Sequence, residues 1–227
     1  MKRILAVVVI VVALGGFGFW YWFIRDTAPP KASLTTRNTV QPTSGPDGSY
    51  TVQTGKSTFA GFRIKENFPA VSHTAVVRTP AVTGSLTLQG TQVSGVTITA
   101  NLAQLQNDDT QPPGVPGLNG RLTSLQNEGL EISNFPDAKF VLSSPATLPS
   151  APKVGTVENV EAHGKLTLHG VTKDVTVPIQ ARWNGAVIDA TGNLPIRLAD
   201  YSITAPSRPF VTVSDSGTME FELTFAK

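Results

Sequence analysis

An alternation of apolar and polar residues is the clearest pattern in the chain, and it begins after residue 48. Four stretches show it plainly: residues 96–102, 165–169, 175–183 and 218–225. A two-residue period puts apolar side chains on one face of a β-strand and polar side chains on the other. Glycine and proline separate further predicted strands at 50–54, 58–64, 82–88, 139–142 and 186–196.

Long amphipathic helices are missing from this pattern. Residues 121–132 predict one or two short helical turns, with Leu122, Leu125 and Leu130 near a common face. A sheet with one apolar face must cover that face with helices, with a second sheet or with itself. Without long helices, a sandwich and a closed barrel both remain open. A barrel of about eight strands has an interior that side chains fill or that holds one small ligand.

The first 24 residues follow a different pattern. Residues 4–24 carry no charge and end in aromatic side chains, which favour the membrane–water interface. As a helix, this run would be about 31 Å long, enough to cross a bilayer. We interpret it as a transmembrane anchor behind a cytoplasmic stub, residues 1–3. A cleaved signal peptide is the alternative, disfavoured because bulky aromatics replace the small-residue cleavage site. Lys2 and Arg3 predict a cytoplasmic N-terminus, with the remainder outside the cytoplasm.

Residues 25–48 form a segment rich in proline, threonine and serine. Such a composition lacks apolar periodicity and is typical of chains that bury little surface. We therefore expect a semi-extended linker that lifts the folded part off the bilayer. The folded domain is predicted to span residues 49–227.

Charge and cysteine content narrow the function classes. The formal net charge is +2, and all 16 acidic residues follow Ile24, where an equal number of basic residues balances them. The surplus is therefore Lys2 and Arg3. A nucleic-acid partner is not expected, because phosphate binding needs a concentrated basic excess. The absence of cysteine excludes disulfides, thiol catalysis and thiolate metal sites.

Candidate catalytic chemistry is sparse. His163 and His169 are predicted to face solvent from one strand, and His73 has no partner nearby in sequence. Asp108 and Asp109 are interpreted as solvated turn residues. We predict no catalytic residue, metal or cofactor, so the protein is not expected to be an enzyme. A hydrolase or isomerase would need one of these carboxylate or histidine side chains to point into an enclosed pocket.

One stretch carries a specific resemblance. Residues 164–179, GKLTLHGVTKDVTVPI, resemble the GxLTLHGVTKxV signature of the YceI-like family. Other segments resemble the remaining family motifs in the same order: residues 48–52, 56–59, 121–125, 134–140, 196–203 and 214–215. Together they cover nearly all of residues 49–227. Leu122 departs from the pattern, since an aspartate is expected after Arg121.

The resemblance implies an extended, lipocalin-like antiparallel β-barrel whose pocket takes long isoprenoid or other amphiphilic lipid chains outside the cytoplasm. The fold expected is thus all-β: an eight-stranded antiparallel barrel with a short helical segment and one N-terminal transmembrane helix. Arg121, Arg197 and Asp200 match the family pattern and are expected to brace the barrel through ion pairs.

The function expected is that of a bacterial cell-envelope protein, anchored by one membrane span, that binds an isoprenoid or fatty-chain lipid. The alternative is a packed structural or interaction domain without a lipid ligand. The oligomeric state stays open, a homodimer included. The predicted pocket lining consists of apolar-face residues: Val96, Ile98, Leu102, Leu166, Leu168, Val175, Val177, Ile179, Trp183, Phe221 and Leu223.

Overall fold

The computed structural model describes residues 28–55, 57–69, 72–109, 120–205, 207–209 and 211–227. The predicted stub and anchor, residues 1–24, lie outside these ranges. Within the described part of the chain, no helix has both the length and the apolar character needed to cross a membrane.

Thirteen strands form in the described residues. They are β1 (Gly48–Gln53), β2 (Phe59–Asn67), β3 (Ser72–Thr79), β4 (Val82–Gln89), β5 (Gln92–Asn101), β6 (Gln106–Asn107), β7 (Asp137–Leu142), β8 (Ala146–Thr147), β9 (Val157–Leu168), β10 (Val171–Trp183), β11 (Ile188–Arg197), β12 (Ser207–Arg208) and β13 (Val211–Ala226).

Eight strands close an antiparallel barrel, with neighbours in the order β1, β4, β5, β7, β9, β10, β11, β13 and back to β1. The closing contact pairs Thr51 with Ala226. Strand β13 is 16 residues long, so it pairs with β2 along most of its length and with β1 only near its end. The predicted all-β fold and eight-stranded antiparallel barrel are confirmed, and the sandwich is excluded.

The barrel interior holds two apolar clusters. One surrounds Trp183 and Phe225, and the other surrounds Leu166 and Tyr201. Helix α1 (Arg121–Ser124) and a π-helical turn at Leu125–Gly129 cover the second cluster. This confirms the predicted short turns: Leu130 is buried there, and Leu122 and Leu125 pack against it.

Strand β3 had no counterpart among the predicted strands. Its sequence does not alternate cleanly, because Val76 and Val77 are adjacent and both buried. Val77 faces the interior cluster. The backbone of Val76 is bonded by the segment after β6, since Asp108 N–H donates to Val76 O at 2.8 Å. A strand covered on both faces loses the two-residue signal.

Residues 28–40, here called the strap, differ from the expected free linker. They contain no helix or strand, but they lie against the outer face of the barrel. The N–H of Ala32 donates to Glu220 Oε2 at 3.0 Å, and Asn193 donates to Ala32 O at 3.1 Å. Arg37 pairs with Asp189 at 2.9 Å. Hydrogen bonds and an ion pair, rather than burial of apolar side chains, hold the strap on the barrel. Its composition therefore resembles that of an unstructured linker.

Candidate functional site

The barrel encloses a cavity of about 190 Å³. Strands β4, β5, β9, β10, β11 and β13 supply most of its wall, because their alternate residues point inward. The residues there are overwhelmingly aliphatic and aromatic. Polar residues also enter the lining: Thr156, Glu158 and Arg182 lie near the start of β9, and Lys139 and Glu220 lie elsewhere in the wall. Ser150 donates to Glu158 at 3.0 Å.

A second, smaller cavity of about 90 Å³ lies towards the helical segment. Ala60, Ala100, Ala138 and Met219 line both cavities. The two spaces therefore follow one another along the inside of the barrel, separated by small side chains and one flexible methionine.

Most of the predicted lining residues reach these spaces. Eight line the larger cavity: Val96, Ile98, Leu166, Val177, Ile179, Trp183, Phe221 and Leu223. Leu102 and Leu168 line the smaller one. Val175 lines neither; it is half-buried against the second apolar cluster and borders a cleft in the barrel wall. Whether any of them touches a lipid stays a prediction.

Several cavity residues were not predicted. Leu86 and Leu88 belong to a predicted strand and alternate correctly, so their period was a usable signal. Phe225 ends an alternation that the sequence shows plainly. Leu148 follows the two-residue strand β8 and has no periodic neighbour, so no local pattern identifies it.

A buried polar cluster closes the end of the barrel near the helical segment. It consists of His73, Asp109, Arg121 and Glu66. His73 Nε2 lies 2.6 Å from Asp109 Oδ2, and Arg121 Nη2 donates to Asp109 Oδ1 at 2.6 Å. Arg121 Nη1 lies 3.3 Å from Glu66 Oε2, and the N–H of Val76 donates to Asp109 at 3.0 Å.

The two carboxylates of this cluster respond differently to burial. For Asp109, burial raises the pKa, but the hydrogen bonds from His73, Arg121 and Val76 outweigh it and hold the pKa at about 2. For Glu66, burial raises the pKa and the Arg121 charge offsets it only in part. Asp109 is therefore firmly ionised, whereas Glu66 is the group closer to taking up a proton.

These positions correct part of the sequence interpretation. Asp108 is exposed and pairs with Arg78 at 2.5 Å, as a solvated residue would, but the side chain of Asp109 is fully buried. The signal missed was the distant partner His73, which faces Asp109 only after β3 and β6 pair. None of the four cluster side chains lines either internal cavity. The cluster therefore stabilises the end of the barrel and is not part of a reaction site.

The prediction for Arg121 is confirmed, since it pairs with Asp109 and Glu66. It is wrong for Arg197 and Asp200: both are exposed, and neither forms an ion pair with a described residue. Arg197 is the last residue of β11 and Asp200 lies in the turn after it. The pairing of β11 with β10 has ended there, and Arg197 is paired with the uncharged Ser216 of β13, so neither neighbouring strand brings an opposite charge.

The two histidines of the motif segment have different surroundings. His163 is exposed, as predicted, and bonds Thr176 Oγ1 at 2.9 Å. His169 is half-buried, with its Nδ1 3.1 Å from Tyr201 O and its ring 4.7 Å from that of Phe135. His169 and Gly170 have φ values of 50° and 71°, as the two central residues of a tight hairpin turn require. The position of His169 is therefore set by the hairpin turn, and the prediction that its side chain faces solvent is wrong.

Among the described residues, no group of three or more His, Asp or Glu side chains is arranged to hold a metal ion. A closed barrel around a mainly apolar cavity is the architecture of a class of proteins that can hold one small apolar ligand. The sequence profile of the YceI-like domain matches residues 50–225, so the chain belongs to the YceI-like family. This is a family of binding proteins rather than enzymes.

Solved structures share this fold. A polyisoprenoid-binding domain from Saccharophagus degradans, implicated in plant cell wall breakdown, is 17% identical, with a TM-score of 0.54 over 78% of this chain and 97% of its own. BcnA from Burkholderia cenocepacia is 21% identical, with a TM-score of 0.53 over 76% of this chain and 98% of its own. No curated protein matches the chain significantly.

Proposed function

We propose that this protein binds the long apolar chain of an isoprenoid or another amphiphilic lipid inside its barrel, for carriage, storage or sensing. The enclosed apolar cavity of about 190 Å³ is the observation that supports this most. The alternative function, that of a packed structural or interaction domain, requires a filled barrel interior. The naming of the S. degradans relative as polyisoprenoid-binding supports the choice of lipid class.

The cavity wall favours a hydrocarbon over a polar ligand. An apolar cavity of about 150 Å³ stays dry and takes small apolar molecules. Each Å² of apolar ligand surface buried would contribute about 25 cal/mol before the cost of association. Trp183, Phe221 and Leu223 offer contacts of this kind. A polar headgroup would lose its hydration among such residues, so it would stay at an opening.

Membrane attachment is the second part of the proposal. Residues 4–24 have the length and composition of a membrane span, and Lys2 and Arg3 favour a cytoplasmic N-terminus. The barrel would then lie outside the cytoplasm, beside a source of long-chain lipids. Resistance of the full chain to alkaline carbonate extraction, with protease access to the barrel only from the outer side, tests this arrangement.

Lipid binding is tested by titrating the full chain in mild detergent with a dansyl-labelled polyprenyl alcohol. Ala190 lines the cavity, so Ala190→Phe should occupy it and weaken binding at least about tenfold. Thr176 is exposed on the opposite face of β10, and Thr176→Phe is the matched control. Equal affinity in both variants, each with the circular dichroism of the wild type, would contradict the proposal.

A further inference from the structure

The barrel wall is split between β10 and β11 at one end. The ladder between these strands stops at the pair Ile179 and Gly192. Beyond it, β10 continues in its ladder with β9 and β11 in its ladder with β13. Pro178 stands at the start of the split and Pro195 in the departing strand; neither can donate a ladder hydrogen bond. A cleft of about 990 Å³ opens between the separated strands.

Exposed basic side chains dominate the rim of this cleft. They are Lys31, Lys65, Lys173 and Arg197. None of the four forms an ion pair with a described residue. Two carboxylates also line the cleft: Asp174, which pairs with Lys165 at 2.9 Å, and Asp200. Because acidic and basic residues balance after Ile24, this positive charge is local to the cleft.

The cleft also lies where the chain leaves the barrel towards the apolar N-terminal run. Ala28 and Pro29 line it, and Arg63 Nη2 fixes the strap there by donating to Pro29 O at 2.5 Å. Ile24 precedes Ala28 by four residues, which span at most about 14 Å. A bilayer holding residues 4–24 would therefore lie next to this cleft and not next to the far end of the barrel.

An apolar path leads inward from the cleft. Ile64 and Ile196 line both the cleft and the smaller cavity. Ala60 and Met219 then line both the smaller and the larger cavity. The rim is thus basic while the floor is hydrocarbon, the arrangement that matches an anionic headgroup with an apolar chain.

We propose that the cleft between β10 and β11 is the bilayer-facing entrance of the barrel. Its basic rim rests on anionic phospholipid headgroups, and the apolar chain of the ligand passes over Ile64 and Ile196 into the cavities. This inference rests on the proposed lipid binding and membrane anchor. It assigns entry to the cleft and not to the far end of the barrel, near Thr156 and Glu158.

The test measures lipid uptake by the full chain reconstituted in phosphatidylglycerol–phosphatidylcholine vesicles. Energy transfer from Trp183, which lines the cavity, to an added dansyl-labelled polyprenyl alcohol reports loading in a Trp20→Phe, Trp22→Phe background. Lys173→Glu with Arg197→Glu reverses the charge of the rim. The matched control, Lys153→Glu with Lys227→Glu, reverses two exposed lysines at the other end of the barrel, near Trp183 and the end of β13.

Loading of the rim variant should be slower than that of the parent by about tenfold or more, and the parent should slow similarly in phosphatidylcholine alone or in high salt. The control variant should load at the parent rate. All three should bind the same amount at equilibrium in detergent. Equal loading rates with binding intact would overturn the entrance alone, as would slowing confined to the control. No binding by the parent in detergent would overturn lipid binding and the entrance together.

Contact between the cleft and the bilayer has its own readout, because the chain contains no cysteine. Ser216 is exposed and lines the cleft. Thr147 is exposed in β8, which pairs with the start of β5 at the end of the barrel away from the cleft. A fluorophore at Ser216→Cys should be quenched by spin-labelled lipid headgroups, and one at Thr147→Cys should not. Equal quenching at the two positions would contradict a docked cleft.

Discussion

The carboxylate of Asp109 lies 2.6 Å from Nε2 of His73, and both side chains are almost completely excluded from solvent. The contact joins β3 to the segment that follows β6, and Arg121 adds the start of the helical segment. One ionised side chain therefore connects three parts of the chain that are separated in sequence. Stability should depend on that charge.

Acid should weaken the fold through Asp109. Its pKa is about 2 in the folded protein, against an ordinary value of 3.8. Because the pKa is lower in the folded state, the ionised carboxylate stabilises the fold at any pH above the ordinary pKa. This contribution is lost as the pH falls from about 4 towards about 2. Its size is about 2 kcal/mol. Urea unfolding of the wild type and Asp109→Asn at pH 7 and pH 2.5 should show the gap between them shrink in acid.

Glu66→Gln is the comparison within the same cluster. The pKa of Glu66 is raised because burial disfavours its charge, so removing that charge should cost less than about 1 kcal/mol, while Asp109→Asn should cost about 3 kcal/mol. Free energies of unfolding at pH 7 measure both. A larger loss for Glu66→Gln would mean that the Arg121–Glu66 contact, not Asp109, holds the cluster together.

The hairpin turn between β9 and β10 predicts a strong effect at Gly170. Its φ is 71°, and a Cβ there would lie 2.6 Å from the ring of Phe135. Gly90 has a φ of 59° with nothing within 4 Å of an added Cβ. Gly90→Ala should cost about 1 kcal/mol for its backbone conformation, and Gly170→Ala clearly more. Melting temperatures of both variants measure the difference; equal losses would show that the ring is not in the way.

Loss of Arg37 should loosen the strap. Its guanidinium donates twice to Asp189, at 2.9 and 3.1 Å, and the Asp189 side chain is 1% exposed. Arg37→Ala leaves that carboxylate with Thr224 Oγ1 at 2.9 Å and Arg182 at 3.8 Å, so we expect a loss of about 2 kcal/mol and faster proteolysis of the strap. Lys165→Ala breaks an exposed pair and should cost less than about 1 kcal/mol. Equal losses would show that the strap bond adds nothing.

Truncating the cavity wall should destabilise the empty barrel and remove a ligand contact. Phe225 is 3% exposed and lines the larger cavity, so Phe225→Ala should cost about 3–5 kcal/mol. Val141 is 37% exposed on β7, and Val141→Ala should cost less than about 1 kcal/mol. Chemical unfolding checks both, and adding the polyprenyl probe should raise the free energy of unfolding of the wild type with the logarithm of the free probe concentration once that exceeds Kd.

The barrel could be predicted because its inward residues repeat at every second position. Phe221 and Leu223 alternate with Glu220 and Glu222, and this places the pair on the cavity side. What the outward residues do could not be read from the same pattern. Glu220 belongs to the polar face of this alternation, yet it is 1% exposed because the strap and Arg63 cover it.

The remaining differences also depend on contacts distant in sequence. The burial of Asp109 requires His73 on another strand. The position of Val175 beside a cleft depends on where β10 and β11 part, which follows from their register and not from either sequence alone. Short-range periodicity contains no information on such pairings.

Native mass spectrometry of the full chain, purified in mild detergent and followed by solvent extraction, tests the central claim most directly. We expect one long-chain isoprenoid or fatty lipid per protein, retained by Thr176→Phe and absent from Ala190→Phe, with the extracted lipid identified by its mass. Protein that is empty as purified, and whose melting temperature does not change with added polyprenyl or fatty lipids, would contradict it.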